Sequence, residues 1–203
     1  MSDIATIMRT APVIPVLVIE DAATARDTAQ ALVSGGLRVL EVTLRTDAAL
    51  DAIAEMKTVE GAIVGAGTVN TVADVKAVRK AGVEFIVSPG LTKKVATAAM
   101  DHSIPFLPGV ATASDIMRGL ELGLTHFKFF PAIANGGIPA LKALAGPFGQ
   151  CLFCPTGGIS LETAPDWLAI PNVLTVGGSW VAPKGAAPET IEQLARQATE
   201  LGR

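Results

Sequence analysis

GGLRVLEVTL (residues 35–44), AGVEFIVSPG (81–90) and LGLTHFKFFP (122–131) are three versions of one phrase. Each opens on a glycine suited to the position just past a helix C-terminus and runs at once into an apolar, β-rich stretch. A helical pattern follows each: DAALDAIAEMK after the first, TKKVATAAM after the second, IPALKALAG after the third. Strand and helix therefore alternate, and strands that read as unbroken apolar runs are those of a parallel sheet covered on both faces. Carried outward along the chain, this reading places strands near 13–18, 39–43, 63–66, 85–88, 106–108, 126–129, 151–154 and 173–177, with a short helix before the first. Thr71 with Asp74 and Thr112 with Asp115 give two of the intervening helices a Thr-x-x-Asp start signal. Eight units in 203 residues is about 25 residues each, the compact end for a (β/α)8 TIM barrel. An open doubly wound α/β sheet is the alternative, and the count of eight favours closure. No Pro/Ser-rich linker, charge block or low-complexity segment divides the chain, so residues 1–203 are expected to form one domain.

Half of the residues are hydrophobic and 17% are charged, which suits a large core. The net charge of -3, without a basic stripe or a nucleic-acid-binding motif, argues against nucleic acid and leaves small molecules as the expected partners. The longest strongly apolar run, VIPVLVI (13–19), is too short to cross a bilayer and contains Pro15. The N-terminus shows neither the basic cluster nor the cleavage site of a leader, so no membrane partner is expected and a cytoplasmic location is. Cys151 and Cys154 match C-x-x-C, but they lie in an apolar strand ending at Pro155, where positions i and i+3 point to opposite faces. Two buried, reduced thiols are expected rather than a redox pair. His102 and His126 lack any paired spacing, and no metal site is expected.

In a (β/α)8 barrel the chemistry sits at the C-terminal ends of the strands. Aligning the three phrases on Gly36, Gly82 and Gly123 puts Glu41, Val87 and Lys128 at one offset, in strands two, four and six. Even-numbered strands fill the same interior layers, so Glu41 and Lys128 are expected to face each other across the mouth. HFKFFPA (126–132) sets Lys128 among three phenylalanines. Taking an ammonium out of water favours the neutral amine, a nucleophile; the alternative is a stem packed on the rings with a hydrated head. Glu41 reads either as a general base or as the structural ion-pair partner of Lys128 or Arg45. Arg45, in the loop after its strand, offers a planar fork for a carboxylate, or is an ordinary surface arginine. Thr68, after strand three, supplies a hydroxyl to the mouth or caps the next helix. PTGGIS (155–160) and VGGSWV (176–181) follow strands seven and eight, where exposed backbone N–H groups form the recurrent phosphate site of this fold. Gly157, Gly158 and Gly178, with Ser179, are the residues so marked.

The stretches GGLRVLEVTLRT, VGAGTV, FIVSPGL, PFLPGVAT, LTHFKFFPA, CPTGGIS and GGSWVAP, in order and with matching spacing from about Pro12 to Pro183, resemble the 2-keto-3-deoxy-6-phosphogluconate (KDPG) aldolase family, also described as 4-hydroxy-2-oxoglutarate (KHG) aldolase. The resemblance implies a class I aldolase without metal or cofactor, usually a cytosolic homotrimer. Such an enzyme cleaves KDPG to pyruvate and glyceraldehyde 3-phosphate in the Entner-Doudoroff pathway, and KHG to pyruvate and glyoxylate. By matching motif position it implies Lys128 as the Schiff-base lysine and Glu41 as the general acid/base. It further implies Arg45 and Thr68 on the substrate carboxylate, Pro89 and Phe130 in the pyruvyl pocket, and Thr156, Gly157, Gly158 and Ser179 at the phosphorylated end. The competing expectation is a phosphate-binding barrel isomerase or epimerase that uses Glu41 and Lys128 as an acid/base pair with no covalent intermediate. A noncatalytic barrel with a vestigial mouth is a third, against which the intact Lys-Glu-Arg set argues.

Overall fold

The protein's structure, a computed structural model, describes residues 3–202; residues 1, 2 and 203 of the expected domain lie outside the described residues. In chain order the elements are α1 (Ile4–Met8), β1 (Val13–Leu17), α2 (Ala25–Ser34), β2 (Val39–Thr43), α3 (Ala49–Met56), β3 (Ile63–Gly67), α4 (Val72–Lys80), β4 (Ile86–Val87), α5 (Lys93–Asp101), β5 (Phe106–Leu107), β6 (Gly109–Val110), α6 (Ala113–Glu121), β7 (His126–Phe129), α7 (Gly137–Ala145), β8 (Leu152–Pro155), α8 (Ala164–Leu168), β9 (Val176–Gly178) and α9 (Pro188–Thr199). Among the described residues no helix is long and apolar enough to cross a membrane.

The repeated phrase owes its form to one kind of helix ending. Gly36, Gly82 and Gly123 stand just past α2, α4 and α6 with φ of 96°, 73° and 77°. The N–H of the next residue reaches back into the last turn: Leu37 to the Leu32 carbonyl at 2.9 Å, Val83 to Val78 at 3.3 Å and Leu124 to Gly119 at 2.9 Å. This Schellman ending turns each helix directly into the following strand. At the opposite ends, α4 and α6 begin with complete capping boxes on Thr71/Asp74 and Thr112/Asp115.

Every strand pairing is parallel. One curled sheet runs β5-β4-β3-β2-β1-β9 and a second runs β6-β7-β8. The order is sequential and sets the last strand beside the first, unlike a doubly wound sheet, whose order reverses at a switch point. The expected fifth strand, 106–108, is divided: Phe106–Leu107 pairs with β4 and Gly109–Val110 with β7. Pro108, which has no N–H to donate, separates the halves. The last strand begins later than expected, at Val176. Pairing with β1 starts only at Val13↔Val176, whereas Val173 makes a single bridge to Phe153; an apolar pattern does not say where a neighbour's pairing begins.

Two cores lie on the two faces of the strands. The larger packs helices against the outer face. The smaller gathers Ile14, Val39, Val87, Leu107 and Cys154 on the inner face, with Ile7 and Met8 of α1 closing its lower end and Phe85 filling its middle. Phe85 fits because Gly65 opposite it has no side chain: a Cβ there would overlap the ring. We expect Gly65→Ala to destabilise the protein by about 1–3 kcal/mol, the usual cost of overpacking a close-fitted core. Gly90→Ala, where a Cβ meets nothing within 4 Å, should lie within about 0.5 kcal/mol of the parent. Urea unfolding of the two variants checks the contrast, and equal stabilities would mean that the inner core yields.

Candidate active site

Along β2 the side chains alternate. Leu40 and Val42 join the outer core, while Val39 joins the inner one, so Glu41 and Thr43 continue the inward column toward the strand's C-terminal end. On β7 the same alternation turns Phe127 and Phe129 outward, against Phe153 at 6.3 Å and Trp167 at 6.4 Å between ring centroids, and leaves Lys128 pointing in. The surroundings of the amine therefore differ from those its neighbours in sequence suggest. Of the three phenylalanines only Phe130 approaches it, with its ring centroid 5.4 Å from Lys128 Nζ. The closest partner is a carboxylate. Lys128 Nζ donates to Glu41 Oε1 at 2.9 Å, and the two residues are only 6% and 3% exposed. Among the described residues this is the one ion pair with both side chains buried. Glu41 and Lys128, expected to face each other, are in direct contact, and the pairing partner of Glu41 is Lys128 and not Arg45.

Room for the Glu41 carboxylate comes from Gly67 on the adjacent strand, where any Cβ would overlap Oε1. That role went unread in the sequence, because a glycine in GAGTV looks like turn material. Cys154, beside Lys128 in the β7–β8 register, belongs to the inner core, and Cys151 to the outer, so the two thiols do point to opposite faces. Both are free and buried. Burial pushes the Cys154 thiol up to about 12, against the opposing pull of the Lys128 cation. Burial also raises Cys151.

Beside the pair, a cavity of about 180 Å³ opens among Arg45, Phe130, Thr156, Gly157, Gly158 and Ser179. Arg45 is exposed and forms no ion pair among the described residues; its Nε donates to Thr43 Oγ1 at 3.1 Å. Gly157 and Gly158 take φ of 108° and 80°, which opens the turn after β8 toward the cavity. Gly177, rather than Gly178, reaches the lining; the missing Cβ of Gly178 makes room for the Trp180 ring. Thr68 does not cap α4, whose cap is Thr71. It is held at φ 59°, a conformation that costs a β-branched residue energy and therefore marks a constrained position. Pro89 lines a second cavity, of about 360 Å³, with Val69, Ser88, Gly90 and Gly109; its carbonyl packs against Gly109, which is in register with Lys128. Among the described residues no three His, Cys, Asp or Glu side chains cluster as metal ligands would.

A lysine and a glutamate sharing one buried hydrogen bond, with an arginine without a carboxylate partner on the neighbouring cavity, are groups whose chemistry suits an anionic carbonyl compound. The model of the family described as KDPG and KHG aldolase matches residues 4–196. The 2-dehydro-3-deoxy-phosphogluconate aldolase of Zymomonas mobilis is 54% identical, over 100% of this chain and 98% of its own. The crystal structure of the Zymomonas mobilis ZM4 enzyme with 3-phosphoglycerate superposes with a TM-score of 0.97, covering 99% of this chain and 97% of that one. The Legionella pneumophila KDPG aldolase, solved with pyruvate captured at low pH as a covalent carbinolamine intermediate, is 44% identical with a TM-score of 0.92, covering 95% and 96% of the two chains. The chain belongs to the KDPG and KHG aldolase family.

The thiolate is the form of cysteine that alkylating reagents attack. With both thiols buried and raised, Cys151 and Cys154 should resist iodoacetamide at pH 8 in the folded protein and both react once it is denatured. Mass spectrometry reads the outcome, and rapid labelling of the native protein would contradict the packing around β8.

Proposed function

We propose that this protein is a class I aldolase, a lyase that cleaves KDPG to pyruvate and glyceraldehyde 3-phosphate, with KHG as a second substrate giving pyruvate and glyoxylate. The observation that carries the reading is the buried 2.9 Å hydrogen bond from Lys128 Nζ to Glu41 Oε1. The carbinolamine of pyruvate in the Legionella pneumophila relative supports a covalent route.

The pair supplies the proton steps in order. Transfer from Lys128 Nζ to Glu41 leaves a neutral amine, which attacks the C2 ketone. Glu41 returns the proton to the former carbonyl oxygen, takes one from the new C–N centre, and delivers it to the departing hydroxyl. Water leaves, an iminium forms, and Glu41 is again a carboxylate. It then removes the proton of the C4 hydroxyl. The C3–C4 bond breaks, its electron pair passes to the iminium nitrogen, and the aldehyde departs. The enamine takes back a proton at C3, and hydrolysis frees pyruvate and the amine.

Arg45 and Thr68 hold the substrate carboxylate in this reading, and Pro89 and Phe130 bound the pyruvyl group. The backbone and hydroxyls of Thr156, Gly157, Gly158 and Ser179, with Gly177 in place of the expected Gly178, serve the phosphorylated end. The 3-phosphoglycerate in the Zymomonas mobilis structure supports a phosphate-bearing substrate. No metal or cofactor enters the scheme. A single domain closed as a (β/α)8 barrel is part of the same proposal. Closure is supported by the Thr156↔Gly177 bridge between the turn after β8 and strand β9, by the one-residue junction at Pro108, and by an inner core shared among strands of both sheets. A homotrimer is supported by the family resemblance. A cytoplasmic location is supported by two unpaired cysteines.

Borohydride reduction in the presence of pyruvate tests the scheme, since only an iminium is fixed as a stable adduct. The adduct should map to Lys128 and vanish in Lys128→Met. Labelling at Lys93, Lys94 or Lys142 would refute the assignment, and no pyruvate-dependent adduct at all would favour the isomerase reading.

Glu41→Gln and Gly67→Ala should converge by different routes. The first keeps the shape and removes the base; the second adds a methyl where the carboxylate lies. Each should lower the rate of KDPG cleavage by about 10²- to 10⁴-fold with the far-UV circular dichroism unchanged. Near-normal turnover in Glu41→Gln would reduce Glu41 to an ion-pair partner.

A further inference from the structure

Thr43 lies two residues beyond Glu41 on the inner face of β2 and two before Arg45. Its hydroxyl is engaged on both sides. It donates to the Leu17 carbonyl on β1 at 2.8 Å and accepts from Arg45 Nε at 3.1 Å. Thr43 is 2% exposed, whereas Arg45 is exposed, so a fixed buried group holds the base of a solvent-facing fork. The same segment is tied twice more. The Thr46 hydroxyl donates to the Ile19 carbonyl at 2.5 Å, and the Leu44 N–H donates to the Gly67 carbonyl at 2.9 Å. The loop is thus anchored to β1 on one flank and β3 on the other, with Arg45 between the anchors.

An exposed arginine ordinarily samples many rotamers, and binding must overcome that freedom. Occupying Nε in advance lowers this cost and leaves the two terminal nitrogens for a bidentate contact with a carboxylate. We infer that Thr43 is a positioning residue that fixes the Arg45 guanidinium for the carboxylate of the 2-keto acid, acting through Arg45 without touching substrate. The inference rests on the reading of Arg45 as the carboxylate ligand. It separates two jobs that one hydroxyl could do, since a threonine bonded to Leu17 could serve only to tie β1 to β2.

The test is a double-mutant cycle on Thr43→Val and Arg45→Gln, with Thr43→Ser as the conservative variant. The readout is the pyruvate concentration that half-saturates borohydride-trapped adduct formation. Loss of one charge-assisted hydrogen bond corresponds to about tenfold weaker binding. Thr43→Val should raise the half-saturating concentration by that factor and change the limiting rate by less than about threefold. Thr43→Ser should restore the parent value. In the Arg45→Gln background Thr43→Val should add nothing, because the group it positions is gone. Loss of the bond to Leu17 should lower thermal stability equally in both backgrounds, so stability and affinity separate. If Arg45→Gln weakens pyruvate binding but Thr43→Val does not, or if Thr43→Val adds its full effect in the double variant, Thr43 is only a strand tie and the inference fails while the role of Arg45 stands. If Arg45→Gln leaves half-saturation unchanged, the reading of Arg45 fails and takes the inference with it. Should Thr43→Val not fold, Thr43→Ala against Thr43→Ser in the same cycle gives the same decision.

Discussion

Two opposite charges are held together in the interior of this fold, and most of what surrounds them serves to keep them there. Taking Lys128 and Glu41 out of water separately would be costly, and their mutual attraction in a low-dielectric interior offsets that only when the geometry is close. The 2.9 Å contact between residues 87 positions apart meets the condition. Removing either partner leaves the other buried and uncompensated, so the pair is a structural element as well as a chemical one. The same contact makes proton transfer between an amine and a carboxylate a short step, which is the requirement of Schiff-base chemistry at neutral pH.

Small residues create the room that the pair needs. Gly67 leaves space for the Glu41 carboxylate, and Gly65, two residues earlier on the same face, leaves space for the Phe85 ring below it. Together they make the inner face of β3 a recess into which its neighbours project. Below that level the interior is apolar, with Ile14, Val39, Val87, Leu107 and Cys154 packed over α1. Above it, the loop after β2 presents Arg45, and the turns after β8 and β9 contribute Thr156, Gly157 and Ser179 to one cavity.

Much of this arrangement is legible in the sequence. Three repeats with glycine at the helix ends fixed the strand-helix alternation, because a residue at φ near +80° after a helix is a local requirement that sequence records directly. The offset of Glu41 and Lys128 within the repeats placed them in one layer for the same reason: side-chain direction along a strand has a period of two, and the glycines set its phase. The capping boxes at Thr71 and Thr112 are equally local.

What the sequence could not decide was anything that depends on the neighbouring strand. HFKFFPA suggested an amine wrapped in aromatic rings, yet alternation sends Phe127 and Phe129 to the outer core and gives Lys128 a carboxylate from a strand far away in the chain. The division of the fifth strand at Pro108 and the late start of the last follow from which partner offers hydrogen bonds at each step, and a single apolar run carries no record of that. Gly67 and Thr43 were invisible for the same reason. A glycine that vacates space and a threonine that steadies an arginine acquire those roles only when β1, β2 and β3 lie side by side, because a close approach is a property of two surfaces and a sequence describes each of them alone.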